Sequence, residues 1–163
     1  LLNAGHETTT NLIGNGAELL LRFPQQRERL RREPSLIESA VEEMLRYESS
    51  NQLGNRTTTE DVRVGGVDIS AGTVLTLCIG AANRDPAQFD DADCFDISRE
   101  HNPHLAFAAG IHTCAGLNVA RLEGRVAIGR LFERFPDLSL AAAPVRAQRA
   151  RFRGFSSLEL NLS

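Results

Sequence analysis

The chain has 163 residues, of which 42% are hydrophobic and 24% are charged, ordinary values for a globular protein. A net charge of −3 argues against a nucleic-acid partner, and no apolar run approaches the roughly 18 residues of a membrane span. The three cysteines form no close pair and leave an odd count, which argues against a disulfide framework and favours the cytoplasm.

Two helices are predicted in the first third of the chain. Residues 1–23 carry a helical apolar pattern, which Pro24 ends. A second helix is predicted over residues 35–47, with Ser35 and Glu38 as a capping box.

The opening LLNAGHETTT has no methionine and no basic start, so we expect a piece of a longer chain rather than a signal peptide.

Short strands are predicted in the middle of the chain. DVRVGGVDI, residues 61–69, predicts a hairpin with a Gly65-Gly66 turn, and residues 72–79 predict a further strand. Residues 83–104 have no sustained period and predict a long ordered loop, a feature that is usually functional.

A long helix is predicted from about Ala115 to Phe135, and residues 152–162 predict a closing strand or hairpin. The predicted fold class is therefore mainly α with small β-sheets. We expect residues 1–163 to form a single partial domain.

A lone cysteine stands at the start of the long predicted helix. Free backbone N–H groups at that end would favour the thiolate form of Cys114, which is a nucleophile or a metal ligand. Gly110 allows a tight turn before it, and Gly116 leaves room for a flat group. The alternative is a buried small hydrophobe, which we favour for Cys78 and Cys94.

Other chemistries are open to the residues near this cysteine. Four potential zinc ligands, spaced H-x2-H-x7-H-x-C, depart from the usual paired pattern; they are His101, His104, His112 and Cys114. HETTT at His6 lacks the second histidine of a zinc protease. A cysteine protease would need an oriented histidine, which spacing cannot establish.

The segment FAAGIHTCAG resembles the haem-ligand loop of the cytochrome P450 monooxygenases, whose pattern is F-G-x-G-x-H/R-x-C-x-G. Ala108 stands where the family has its first glycine. The matching residues are Phe107, Gly110, His112, Cys114 and Gly116. The resemblance implies that Cys114 is the axial thiolate ligand of haem b iron.

A second motif, EMLR, supplies the E-x-x-R pair of the resembled family as Glu43 and Arg46. By chemistry alone this is an ordinary ion pair one helical turn apart. In the family the pair is buried and is joined by an arginine from a later loop, which corresponds to Arg99 of FDISR. Such a triad would fix the loop that carries the cysteine.

A third motif, AGHETT, resembles the distal-helix pattern A-G-x-D/E-T-T/S of the same family. The resemblance implies that Ala4 and Gly5 leave room for a flat cofactor and oxygen. It also implies that Glu7 and Thr8 deliver protons, with the Thr8 hydroxyl holding a water. A solvated helix face is the alternative.

The resemblance also implies contacts at the edge of the haem. Arg56, His104 and His112 would bind the haem propionates, which are anions. Arg121 and Arg125 lie one turn apart on the face that in the family receives an acidic electron-transfer protein. For Arg125 a solvated helix face is equally acceptable.

Taken together, the motifs resemble the C-terminal half of a soluble bacterial haem-thiolate monooxygenase. Such an enzyme inserts one atom of O2 into an apolar organic substrate, with electrons from NAD(P)H through a reductase and a ferredoxin. The complete protein is expected to be a monomer without nucleic-acid or membrane partners, and this chain alone is expected to be inactive. One alternative is a non-catalytic haem- or metal-binding module, which would need no proton relay. The other is a peroxide-driven oxygenase, which would be expected to lose the acid–threonine pair that this chain keeps as Glu7 and Thr8.

Overall fold

Helices dominate the structure, a computed structural model that describes residues 2–162 and the side chains of residues 5–162. The helices are α1 (Leu2–Arg22), α2 (Pro24–Arg32), α3 (Ile37–Tyr47), α4 (Ile79–Ala82) and α5 (Leu117–Arg134). The strands are β1 (Leu53–Thr57), β2 (Val62–Val64), β3 (Val67–Ile69), β4 (Val74–Cys78), β5 (Ser139–Leu140), β6 (Val145–Arg146), β7 (Phe155–Ser157) and β8 (Leu160–Asn161). The predicted fold class, mainly α with small sheets, is confirmed. Within residues 2–162, no helix combines the length and hydropathy that a membrane span requires.

Helices α1, α3 and α5 pack against one another around the main hydrophobic core. Leu19 of α1, Val41 of α3 and Ile128 of α5 are fully buried there. The helices approach closely at Gly16, where an added Cβ would lie 2.7 Å from Ile128 Cδ1 and 2.8 Å from Met44 Sδ. A side chain at Gly16 would therefore push the three helices apart.

The helix predictions are confirmed in position and wrong in two details. Helix α1 ends at Arg22, one residue before the predicted end, and Pro24 then opens α2, because proline is accommodated in the first turn of a helix. Helix α2 was not predicted. The capping box at Ser35 is wrong, since α3 begins at Ile37 after a 3-10 turn and no described side chain caps it.

The small sheets are two-stranded and antiparallel. The predicted hairpin is confirmed as β2 and β3, joined across Gly65-Gly66. Strand β4 is confirmed and pairs with β1, which the sequence did not predict. The closing strands β7 and β8 are also confirmed, but they do not form a hairpin with each other. Instead β7 pairs with β6, and β8 pairs with β5.

A buried ion pair within α3, between Glu43 and Arg46, binds the long loop, residues 83–104. Both residues of the pair are 0% exposed. Arg46 Nε and Nη2 each donate to the Glu43 carboxylate at 2.8 Å. The three other N–H groups of this guanidinium donate to loop carbonyls at 2.8–3.0 Å, those of Asn83, Ala92 and Cys94. All five donors of Arg46 therefore have acceptors.

The Glu43 carboxylate binds the far end of the same loop. Arg99 Nε donates to Oε2 at 3.2 Å, which brings together the three members of the predicted triad. Asn102 Nδ2 also donates to Oε2, at 3.1 Å, and the Asp96 N–H donates to Oε1 at 3.0 Å. The loop preceding the cysteine is thus fixed at both ends to one turn of α3.

We predict that Glu43→Gln lowers the free energy of unfolding by about 3–5 kcal/mol, because it leaves the buried Arg46 guanidinium without its counter-charge. Urea unfolding of the purified protein measures the change. The matched control is Glu133→Gln in the exposed pair Arg130–Glu133, which has the same three-residue spacing. That control should lose at most about 1 kcal/mol. Equal losses in the two variants would contradict the prediction.

Candidate functional site

Cys114 lies in a short closed loop, residues 107–116, here named the cysteine loop, which leads into α5. Its backbone N–H donates to the Phe107 carbonyl at 2.9 Å. Thr113 Oγ1 donates to the Gly110 carbonyl at 2.8 Å. These two bonds hold the backbone of the loop together while the Cys114 side chain stays exposed.

Two residues of the cysteine loop have left-handed backbone conformations. Gly110 has a φ of +62°, as expected for the predicted tight turn. Ala108 has a φ of +58°, a region that costs an L-residue about 1–2 kcal/mol. Ala108 stands where the resembled family has glycine, so the loop path imposes this conformation even on a residue with a Cβ.

A cavity of about 570 Å³ lies between α1 and the cysteine loop. This volume falls within the range of small-molecule and cofactor sites. Its lining is mainly apolar or small: Gly5, His6, Thr8, Thr9, Leu12, Leu45, Ser50, Asn51, Ile79, Ala106, Phe107, Ala108, His112, Cys114, Gly116, Val119, Ala120 and Glu123.

The cavity brings together residues from two motifs that are far apart in the sequence. From AGHETT it takes Gly5, His6, Thr8 and Thr9, and Ala4 lies outside the described side chains. From the cysteine loop it takes Phe107, His112, Cys114 and Gly116. Of the residues predicted to be catalytic or to bind haem, Glu7, Arg56, His104 and Gly110 do not line it.

Three of those predicted residues make other contacts. Glu7 is paired with Arg149, near the C-terminal strands. Arg56, on β1, donates from Nη1 to the carbonyl of its neighbour Asn55 at 2.8 Å. His104 is almost fully buried, and its Nε2 lies 3.1 Å from Glu42 Oε2. The structure therefore does not bring Arg56 or His104 to the cavity where a propionate contact was expected.

The two arginines predicted on the partner-binding face of α5 are both held by carboxylates of α3. Arg121 donates to Glu42 through Nε at 2.8 Å and Nη2 at 2.7 Å. Arg125 Nη1 donates to Glu38 Oε1 at 2.8 Å. Each side chain is about one-third exposed.

The predictions for the other two cysteines were wrong. Cys78 and Cys94 are exposed, not buried small hydrophobes. Cys78 is the last residue of β4, and a sheet of only two strands leaves both of its faces largely uncovered. Cys94 contacts Arg46 through its carbonyl oxygen and not through its thiol. Neither cysteine lines the cavity.

The donor set of the cavity fits an iron porphyrin better than a zinc ion. A protein-bound zinc needs three or four protein ligands. Among the described side chains, no group of three His, Cys, Asp or Glu residues could hold a metal ion. A porphyrin brings its own nitrogen ligands, so one sulfur beside an apolar cavity with small residues at Gly5 and Gly116 suits it.

Sequence reasoning missed the apolar walls of the cavity and one polar anchor. Leu12, Leu45 and Ile79 line the cavity from three different elements, and each lies in an ordinary apolar stretch without a local signal. Asn102, which binds Glu43, stands in a loop segment without a motif.

Comparison with known proteins agrees with this geometry. The family model described as Cytochrome P450 matches residues 1–141. Cytochrome P450 107B1 of Saccharopolyspora erythraea is 54% identical over 145 residues, covering 88% of this chain and 36% of that protein. The vitamin D(3) 25-hydroxylase of Pseudonocardia autotrophica is 54% identical over 142 residues, covering 86% of this chain and 35% of that protein.

A solved structure, CYP109E1 of Bacillus megaterium in complex with testosterone, superposes with a TM-score of 0.98 at 36% identity. The match covers 100% of this chain and 46% of that one, so this chain spans less than half the length of these relatives. The match over most of the sequence, together with the site geometry, shows that the chain belongs to the cytochrome P450 family.

Proposed function

We propose that the complete protein carrying this sequence is a haem-thiolate monooxygenase in which Cys114 binds the iron of haem b. The observation that carries this proposal is the shared cavity, where Cys114 and Gly116 of the cysteine loop meet Gly5 and Thr8 of α1. The bound haem would supply the activation of O2 and the transfer of one oxygen atom to a substrate.

The residues of this chain have separate tasks in the proposed reaction. Cys114 holds the iron through its sulfur, and the bond from its N–H to Phe107 fixes the backbone beneath that sulfur. His112 lines the cavity and is the residue best placed to bind a propionate. Gly5 and Gly116 add no side chain of their own to the two walls, which leaves room for a flat group between them.

Proton delivery is assigned to Thr8 and Glu7. Thr8 lines the cavity, where its hydroxyl can hold a water and pass on a proton. Glu7 lies outside the cavity lining, is about one-third exposed and is paired with Arg149. We assign to it the uptake of protons from the solvent side, and these would reach Thr8, the next residue of α1, through water rather than by direct contact.

An apolar organic substrate, a reductase and a ferredoxin complete the proposal. The cavity lining is mainly apolar, one similar protein is named a vitamin D(3) 25-hydroxylase, and another is solved in complex with testosterone. Electrons would come from NAD(P)H in the cytoplasm. Leu122 and Val126 of α5, which do not line the cavity, are each more than half exposed, and the rest of the complete protein would cover them.

We predict that Cys114→Ala abolishes the thiolate-type spectrum of the reduced, carbon-monoxide-bound complete protein, because it removes the sulfur ligand. The controls are Cys78→Ala and Cys94→Ala, whose thiols are also exposed but lie outside the cavity. Both should keep the spectrum. A thiolate-type spectrum in the Cys114→Ala protein would show that another residue is the ligand.

We predict that Thr8→Ala preserves substrate binding but raises the ratio of hydrogen peroxide to oxygenated product severalfold. Without the hydroxyl, protons reach the cavity by an unguided route, and reduced oxygen leaves as peroxide. The matched control is Thr10→Ala, whose hydroxyl donates to the His6 carbonyl and does not line the cavity. If both variants give the same ratio of peroxide to product as the unsubstituted protein, Thr8 has no part in proton delivery.

A further inference from the structure

A second ionic cluster, formed by Glu42, His104 and Arg121, lies beside the Glu43–Arg46 pair. We name it the Glu42 cluster. Arg121 of α5 binds the Glu42 carboxylate as a fork, with Nε 2.8 Å from Oε1 and Nη2 2.7 Å from Oε2. His104 Nε2 lies 3.1 Å from Oε2. Three segments meet at this carboxylate: α3, α5 and the end of the long loop.

The protonation states within the cluster follow from its hydrogen bonds. Burial alone would raise the pKa of Glu42, but the bonds from His104 and Arg121 outweigh it and hold the pKa at about 2. The Ala106 N–H donates to His104 Nδ1 at 3.2 Å, so Nδ1 is an acceptor. With Nδ1 accepting, Nε2 is the ring nitrogen that donates to Glu42.

Two members of the cluster, Arg121 and His104, also lie beside the ring of Phe107. The Arg121 guanidinium carbon lies 5.0 Å from the centre of that ring, within the range of a cation–π contact. The His104 ring centre is 6.0 Å from it. Since the Phe107 carbonyl accepts the N–H bond of Cys114 at 2.9 Å, the cluster is linked to the cysteine through one residue.

This link matters because of the backbone conformation of Ala108, the residue that follows Phe107. Ala108 has a left-handed backbone, with a φ of +58°, which persists only when surrounding contacts determine it. The contacts of the Phe107 ring with Arg121 and His104 are made by the residue directly before it. If its ring were released, the backbone at Ala108 could relax to a negative φ and move the Phe107 carbonyl away from Cys114.

We propose that Glu42, His104 and Arg121 are positioning residues that hold Phe107 and thereby set the position of the Cys114 sulfur. This inference rests on the proposed function for the identity of the group that Cys114 binds. None of the three residues lines the cavity, so they act through neighbours that do line it, and Phe107 is the one that is bonded to Cys114.

The chain supplies a matched control for this cluster. Glu38 and Arg125 join the same two helices at 2.8 Å, one turn further along α5 from the cysteine loop. Loss of either ion pair weakens the contact between α3 and α5, but only the Glu42 pair also packs against Phe107.

The experiment compares Glu42→Gln and Arg121→Lys with Glu38→Gln and Arg125→Lys in the complete haem-loaded protein. Two quantities are measured while circular dichroism shows each variant folded: the thiolate-type fraction of the reduced carbon-monoxide complex, and the rate of haem loss to an acceptor protein. The Glu42 and Arg121 variants should lose most of the thiolate-type fraction and release haem severalfold faster. The two control variants should match the unsubstituted protein in both measurements.

The outcomes separate this inference from the proposed function. If the unsubstituted protein shows no thiolate-type spectrum, the proposed function fails, and the inference fails with it. If that spectrum is present and both Glu42→Gln and Arg121→Lys behave as their controls do, only the inference is overturned. Should Glu42→Gln fail to fold, Arg121→Lys decides, because it keeps the charge and removes the fork that packs on Phe107.

Discussion

The position of the cysteine loop depends on the buried ion pair between Glu43 and Arg46. Removing two charges completely from water costs several kcal/mol for each ion, and only a full set of hydrogen bonds offsets that cost. Here every guanidinium N–H has an acceptor, and three of the acceptors are carbonyls of residues 83–104. The long loop cannot shift without leaving buried donors unsatisfied, and it leads directly to the cysteine loop.

Helix α3 organises the site by presenting two consecutive carboxylates. Glu43 fixes residues 83–104, and Glu42 binds the end of that loop together with α5. The same helix contributes Val41 to the core shared with α1 and α5, where Gly16 permits close packing. The wall of the cavity on α1 and the cysteine loop are therefore both held in position by one short helix.

Sequence patterns predicted the parts of the structure that depend on local chemistry. The long helices follow from their apolar periodicity, and the turn at Gly110 follows from its position in the cysteine motif. The short strands β1, β5 and β6 were missed, because none carries an alternating apolar pattern: β1 is LGNRT, and β5 and β6 have two residues each. The binding of His104 to Glu42 was missed because 62 residues separate them and no local pattern links them.

The central claim is that the sulfur of Cys114 is bound to haem iron in the complete protein. Resonance Raman spectroscopy of protein labelled with a heavy sulfur isotope in cysteine tests it most directly. The account predicts an iron–sulfur stretching band that shifts to lower frequency with the label, and that persists when Cys78 and Cys94 are both replaced by alanine. A band that does not shift, or one that disappears in that double variant, would contradict it.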